Sequence, residues 1–344
     1  MRSKHEPNDR VRFAKILGLL GSLSFIEVYL ETWRFGWSPV AIDFVSFWSA
    51  ARLPFSTIYP SNLFVYPPTG LVFLSFFRGL PFWTNYLGWT AISIIAFFLA
   101  ARRLVGTAPA LLSLASMPAV FGILLGQTPM LLSSAVLLAV SLPSAASGAI
   151  LGAALVIKPQ LLCMAPIILM VRRDWHALIC LTLSAISMIL LATAVYGVDA
   201  WWAWLSALPD WKQVLVENYV FDHTITFAGL AMKLKLAAWP FLLMGILVSL
   251  IAAHGLSRKL TGAPLAALIT CCSALASPYA LPHDLVAAMP ALASSLLATN
   301  SLLEFGFGAC LFSGLQLTFV LPLTALFGSL HGSFPMLKLS HDRR

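Results

Sequence analysis

Long apolar runs alternate with short polar or proline-rich breaks, and the apolar positions fill whole stretches instead of every second residue. Leu, Ala, Ile and Ser dominate over about 16–33, 84–101, 107–125, 128–142, 146–171, 176–195, 236–254, 262–276 and 285–299. Runs of this length and mixture predict helices that span or fill a bilayer. The period-2 alternation of a membrane barrel is missing, so the fold class is all-α.

Basic clusters flank these runs: Arg2, Lys4, Arg10, Arg12 and Lys15 at the start, then Arg102/Arg103, Arg172/Arg173 and Arg258/Lys259. Lys and Arg accumulate in cytoplasmic loops, so each cluster is placed inside and the parity of crossings between clusters follows. The first run has a basic start but contains Glu27 and offers no convincing A-x-A cleavage site, which reads as a retained signal-anchor. One further crossing must lead to Arg102, and 84–101 takes it. The competing stretch 66–81, headed by Tyr66-Pro67-Pro68 and carrying Arg78 and Pro81 at its end, is expected as an interfacial helix within a large outer loop over about 34–82.

Between Arg103 and Arg172 the crossings must be even, although three apolar stretches compete. Lys158-Pro159 resolves the count, because proline disfavours helix at the residue before it and removes a backbone donor. Residues 146–171 then form two short helices, each about 18 Å long, meeting at the lysine in an outer-facing dip. Parity also places Gly126-Gln127-Thr128-Pro129, a second outer loop over about 196–235, and the turn from Ser277 to Asp284 outside. The run 305–330 reads as one long helix or a tight pair. With no internal repeat or linker, residues 1–344 are expected to be a single integral-membrane domain of about 11 transmembrane helices.

Composition narrows the class. The chain is 60% hydrophobic, 10% charged and has a mean hydropathy of +0.89, more apolar than a water-soluble domain can hide. A formal charge of +8 would suggest nucleic acid in a soluble protein, but here much of the excess lies beside apolar runs, so the lipid bilayer is the expected partner and nucleic acid is not. The five cysteines fall inside apolar runs without C-x-x-C spacing and read as packing residues. No P-loop, GxGxxG, H-E-x-x-H or G-x-S-x-G is present, so nucleotide hydrolysis, Rossmann cofactors, zinc proteolysis and serine hydrolysis lack support. No metal cluster is visible in the sequence, and neither a metal nor a cofactor is expected.

The same topology gathers the chemically capable residues on the outer side: Asp43, Gln127, Lys158, Asp222-His223 and His283-Asp284. Ionisable groups near membrane depth are costly, and those retained usually line a site. Asp43, in "AIDFVSFWSAAR" among Phe44, Phe47 and Trp48, reads as readily as a solvated loop acid or helix cap as it does as a site residue. Lys158, mid-run and followed by proline, fits a site better than snorkelling. His283-Asp284 would cap a helix from 285 as readily as serve a site, and Asp222-His223 reads first as a solvated loop. Glu27 and Glu31, four apart on one helix face, read first as marking the interfacial end of the first helix and second as acting together on a cavity wall; Trp201, Trp202, Trp204 and Trp211 read first as an interfacial belt and second as sugar-stacking rings. Gly148 and Gly152 have the spacing of closely packed membrane helices.

Five segments, in this order, carry a resemblance: "DFVSFWSAARLPFSTIYP" at 43–60, "FVYPPTGLVFLSFFRGLP" at 64–81, "GQTPMLL" at 126–132, "GAILGAALVIKPQLLCMAPIILMVRRDW" at 148–175 and "SPYALPHDLVAAMPAL" at 277–292. Together the chain resembles the GT-C superfamily of multi-helix glycosyltransferases, and more closely glycosyltransferase family 87, the polyprenol-phosphate-mannose-dependent alpha-mannosyltransferase-like proteins. The resemblance implies a lipid-phosphate sugar donor, an acceptor on the outer leaflet or in the periplasm, and inversion at the anomeric carbon. Asp43 matches the family's catalytic acid position and His283 its histidine in the late loop. Phe47-Trp48 stands where members usually show paired tyrosines, and Leu281-Pro282-His283 where they often show Trp-x-His.

An inner-membrane glycosyltransferase is therefore expected, moving a hexose, mannose first, from a polyprenyl-phosphate donor to a hydroxyl of an envelope lipid or glycan at the periplasmic face. Asp43 is expected as general base, with Lys158 and His283 stabilising the leaving lipid phosphate. Gln127 would hydrogen-bond a sugar hydroxyl or a phosphate oxygen, and Tyr66 and Asp284 complete the binding set. Arg52 is a further phosphate candidate, with a surface salt bridge as its equal alternative. The rival reading is a transporter or flippase for a lipid-linked or small anionic solute, which predicts mid-membrane charges, access from both sides and often repeat symmetry.

Overall fold

In the computed structural model the described residues are 6–35, 40–59, 64–75, 79–217 and 224–298. All regular structure among them is helical, and the chain is an all-α polytopic membrane protein. The first half runs α1 (Glu6–Phe35), α2 (Ile42–Ala50), α3 (Phe55–Ile58), α4 (Pro68–Leu74), α5 (Phe82–Val105), α6 (Thr107–Leu114), α7 (Met117–Leu125), α8 (Pro129–Ala139) and α9 (Ser144–Ile157). It continues with α10 (Pro159–Leu162), α11 (Ala165–Arg172), α12 (Trp175–Tyr196), α13 (Asp199–Glu217), α14 (Phe227–Lys233), α15 (Ala238–Leu256), α16 (Gly262–Leu275), a 3-10 helix (Pro282–Ala288) and α17 (Met289–Ala298). Arg78, Asp222-His223, Cys310 and the run 305–330 lie outside the described residues.

Two kinds of helix divide the work. Within the described residues α1, α5, α12 and α15 are long and apolar enough to cross a bilayer by themselves. They turn large side chains outward: Ile179, Leu183, Ile186 and Leu190 on α12 are all exposed, as lipid contact requires. By contrast α8, α16 and α17 are short, about 15–21 Å at 1.5 Å per residue, and most of their residues are buried inside the protein. Helix ends expose unpaired carbonyls and N–H groups, so short helices stand at membrane depth only where protein surrounds them.

The expected single helix over 107–125 is instead a pair, α6 and α7, bent by 57°. Ser116 caps α7, its Oγ accepting from the Ala119 N–H, and Pro118 follows in the first turn. A proline at that position starts a helix and cannot continue one. The break at Lys158-Pro159 is present where the dipeptide predicts it, with Lys158 in non-helical geometry between α9 and α10. Both ends of the 144–172 hairpin lie together: the Ser144 hydroxyl donates to Asp174 Oδ2 at 3.0 Å, and Lys158 sits at its tip. Gly148 and Gly152 set α9 against α12 so closely that a Cβ on either would collide with the carbonyls of Ala177 and Leu181.

At the end of the bundle where α11 and α15 finish, two arginines clasp each other's helix. Arg172 donates to the carbonyls of Ser257 and Leu260, and Arg258 to that of Val171 at 2.7 Å. The Arg172/Arg173 and Arg258/Lys259 clusters are thus brought together, and the Leu104 side chain lies beside Gly262.

The stretch expected as an interfacial helix forms α4, whose Pro68, Thr69, Gly70, Leu71 and Leu74 are buried. Its Thr69 hydroxyl donates to the Val156 carbonyl of α9. Much of the segment expected as a second loop is helical, in α13 and α14. Of its tryptophans, Trp202 is 66% exposed, whereas Trp201 donates to Thr193 Oγ1 and Trp204 to the Val65 carbonyl, each at 2.9 Å.

Candidate active site

Three chain breaks and α2 meet at one place. The first break is Gly126 to Thr128, between α7 and α8. Gly126 has φ +73° and a Cβ there would lie 2.7 Å from Phe44 Cβ, so the left-handed turn and the close approach of α2 both call for glycine. The Ala41 N–H donates to the Leu124 carbonyl at 2.7 Å, and the Tyr86 hydroxyl donates to the Leu124 and Ile123 carbonyls at 3.0 and 3.2 Å. These bonds satisfy carbonyls left open at the end of α7 and pin the first turn of α2, which carries Asp43.

An aromatic shell holds α2 in place. Phe44 packs against Phe82, Tyr86 and Trp89, and Phe47 against Phe64 and Tyr66, with ring centroids 5.4–6.3 Å apart. Offset and edge contacts of this kind add rigidity beyond the area they bury. Asp43 itself is half-buried. Its Oδ2 accepts from Gln127 Nε2 at 2.6 Å. Burial raises its carboxyl above the ordinary 3.8, opposed by the Gln127 donor and the positive charge of Lys158.

Tyr66 stands at the centre. Its hydroxyl lies 3.3 Å from Gln127 Oε1, to which it donates, and 2.7 Å from Thr128 Oγ1. Burial pushes the phenol up to about 12, so it stays protonated at neutral pH and keeps a proton to donate. Over the ring face, 5.9 Å from its centroid, lies Lys158 Nζ, within cation–π range.

Lys158 is buried and donates to Asp284 Oδ1 at 2.5 Å. Asp284 Oδ2 accepts from the Leu281 N–H at 2.9 Å at the start of the 3-10 helix. His283 is buried against Phe121, with Nε2 3.9 Å from Asp284 Oδ1 and no hydrogen-bond partner for Nδ1 among the described residues. Two residues beyond the lysine, Gln160 Nε2 donates to the Tyr279 hydroxyl at 3.4 Å.

The structure thus brings Asp43, Gln127, Tyr66, Lys158, Asp284 and His283 into one cluster. Arg52 is placed otherwise: its guanidinium stacks 3.9 Å from the Trp48 ring centroid and donates to the carbonyls of Trp48 and Leu80. Thr128, Gln160 and Tyr279 join the cluster without having been singled out as site residues. Each follows or precedes a proline break already suspected, which is the signal that marks them.

A family model, glycosyltransferase family 87, matches residues 64–278. The match covers most of the chain, and the chain belongs to that family. Tyr66, Gln127, Thr128 and Lys158 lie inside the matched stretch; Asp43, His283 and Asp284 lie outside it and enter the site through their contacts alone. No curated protein and no solved structure matches the chain.

Proposed function

We propose that this family 87 glycosyltransferase moves a hexose, with mannose favoured by the family resemblance, from a polyprenyl-phosphate donor to a hydroxyl of an envelope lipid or glycan at the periplasmic face of the inner membrane. The observation that carries the reading is the pairing of two unlike polar centres around Tyr66: a carboxylate held by a neutral amide, and a buried cation 5.9 Å above the ring. Glycosyl transfer from a lipid phosphate asks for both. As the acceptor oxygen attacks the anomeric carbon from the face opposite the phosphate, its proton passes to Asp43. The bond from the anomeric carbon to the phosphate oxygen breaks, and its electron pair leaves with the lipid phosphate. Inversion follows from the single displacement.

Asp43 suits the base role because Oδ2 is engaged by Gln127 while Oδ1 has no hydrogen-bond partner among the described residues. A raised carboxyl is also a stronger base than an ordinary one. Lys158 gives one N–H to Asp284 and has two more to offer a phosphate oxygen, and the buried setting strengthens each. The donor's lipid tail would lie between helices, with its phosphate at the membrane surface beside the Lys158 tip.

The test is transfer of labelled sugar from synthetic polyprenyl-phosphate donors to a membrane lipid extract, wild type against Asp43→Asn. Loss of about 10²- to 10⁴-fold is expected for a missing general base. Unchanged transfer by the variant would remove Asp43 from the chemistry, and no transfer by the wild type from any such donor would remove the donor class.

A further inference from the structure

Gln127 and Tyr66 were both expected to touch substrate. The geometry points to another role: we propose that Thr128, Tyr66 and Gln127 form a one-way hydrogen-bond relay that orients the Asp43 carboxylate, making them positioning residues for the base. This rests on the proposed role of Asp43.

The direction of the relay follows from donor and acceptor chemistry. Ionised Asp43 accepts only, so the Gln127 atom 2.6 Å from it must be the amide nitrogen. The amide oxygen then points away and needs a donor. Among the described residues the Tyr66 hydroxyl meets it at 3.3 Å, and a phenol that has given its proton to Gln127 takes one from Thr128 Oγ1 at 2.7 Å. Every proton in Thr128–Tyr66–Gln127–Asp43 therefore points toward the carboxylate. Chains with a common direction polarise each bond in turn, more so away from water.

Its anchorage is also informative. Gln127 and Thr128 follow Gly126, whose turn packs on Phe44 next to Asp43. Tyr66 is held by Phe47, one turn along α2 from Asp43, and by Phe64. The base on α2, the Gln127-Thr128 turn and Tyr66 thus belong to three segments, packed together through Phe44 and Phe47 and joined at their polar ends by the relay. Arg52 is turned to Trp48 and Leu80, and the Tyr86 hydroxyl is engaged by the carbonyls of Ile123 and Leu124. Lys158 is the charged group whose field reaches Asp43 across Tyr66.

Removing the Tyr66 hydroxyl frees the Gln127 amide to turn its oxygen toward Asp43, a repulsive contact that misdirects the base without removing it. The experiment is a double-mutant cycle on sugar transfer with Tyr66→Phe and Gln127→Leu. Tyr66→Phe keeps the ring that packs on Phe47 and Phe64, so folding should persist, as a thermal unfolding scan in detergent would show. Each single variant is expected to lower kcat about tenfold, the size of one hydrogen bond lost from the transition state, with donor KM within about twofold. In the Gln127→Leu background Tyr66→Phe should add less than about twofold, since it acts through the residue already gone. Thr128→Ser should retain wild-type kcat and Thr128→Val should follow Tyr66→Phe.

Multiplicative effects in the double variant, or losses carried by donor KM, would overturn the relay and return both residues to substrate contact. Asp43→Asn separates the two levels. If that variant is inactive and the cycle is additive, only the relay fails; if it is fully active, the base assignment fails first.

Discussion

Two carboxylates flank Tyr66 in opposite settings. Asp284 is fully buried, bound by the Lys158 ammonium at 2.5 Å and by the Leu281 N–H. Asp43 is half-buried and held by a neutral amide. The first has its charge paired and both oxygens engaged. The second has a neutral amide on Oδ2 and, among the described residues, no hydrogen-bond partner on Oδ1, the arrangement that the proposed base role calls for. Difference in environment separates the roles of two chemically identical groups, as it does wherever paired carboxylates divide acid, base and structural duties.

The comparison is sharpened most by Asp43→Asn. We expect transfer to fall about 10²- to 10⁴-fold while the thermal midpoint hardly moves, because a neutral amide replaces a partly solvated carboxylate. A large drop in midpoint would make Asp43 an acid retained for stability. The mirror variant comes next. Lys158→Met leaves Asp284 as an uncompensated buried charge and should cost about 3–5 kcal/mol of stability, read from chemical or thermal unfolding in detergent. The double change Lys158→Met with Asp284→Leu should recover most of that stability without recovering transfer. If the double variant also regains activity, the lysine has no part in the chemistry.

Gly126→Ala is expected to be milder, about 1–2 kcal/mol, because an alanine must take φ +73° and crowd Phe44; transfer should fall further than stability as α2 shifts. The smallest effect is in pH. Burial raises the Asp43 carboxyl above 3.8, so the base form is present above the raised value and lost as pH falls through it. The acidic limb of kcat/KM should therefore lie above the ordinary carboxylate range. Gln127→Leu removes a donor that favours the ionised form and should move this limb to higher pH. A limb at the ordinary value in both proteins would contradict the burial of the base.

Much of this was readable along the chain. Tyr66-Pro67-Pro68, Gly126 to Pro129, Lys158-Pro159 and Ser277 to Asp284 announce breaks in otherwise apolar stretches, and polar residues at such breaks attract attention. The bend between α6 and α7 is not legible in the sequence because Pro118 lies inside a run whose hydropathy is continuous. Arg52 reads as a phosphate or salt-bridge candidate because its charge is visible in sequence, whereas the Leu80 carbonyl that engages it becomes a neighbour only on folding.

By itself the sequence determined the all-α membrane class, several of the places where helices stop, and which polar residues stand at those breaks. Hydropathy, proline and glycine act over a few positions, so they are legible locally. Tertiary structure alone decided who pairs with whom. Asp43 meets Gln127 across 84 residues of chain and Lys158 meets Asp284 across 126. No local pattern specifies which acid receives an amide and which an ammonium, and that choice separates a candidate base from a carboxylate already paired to a buried cation.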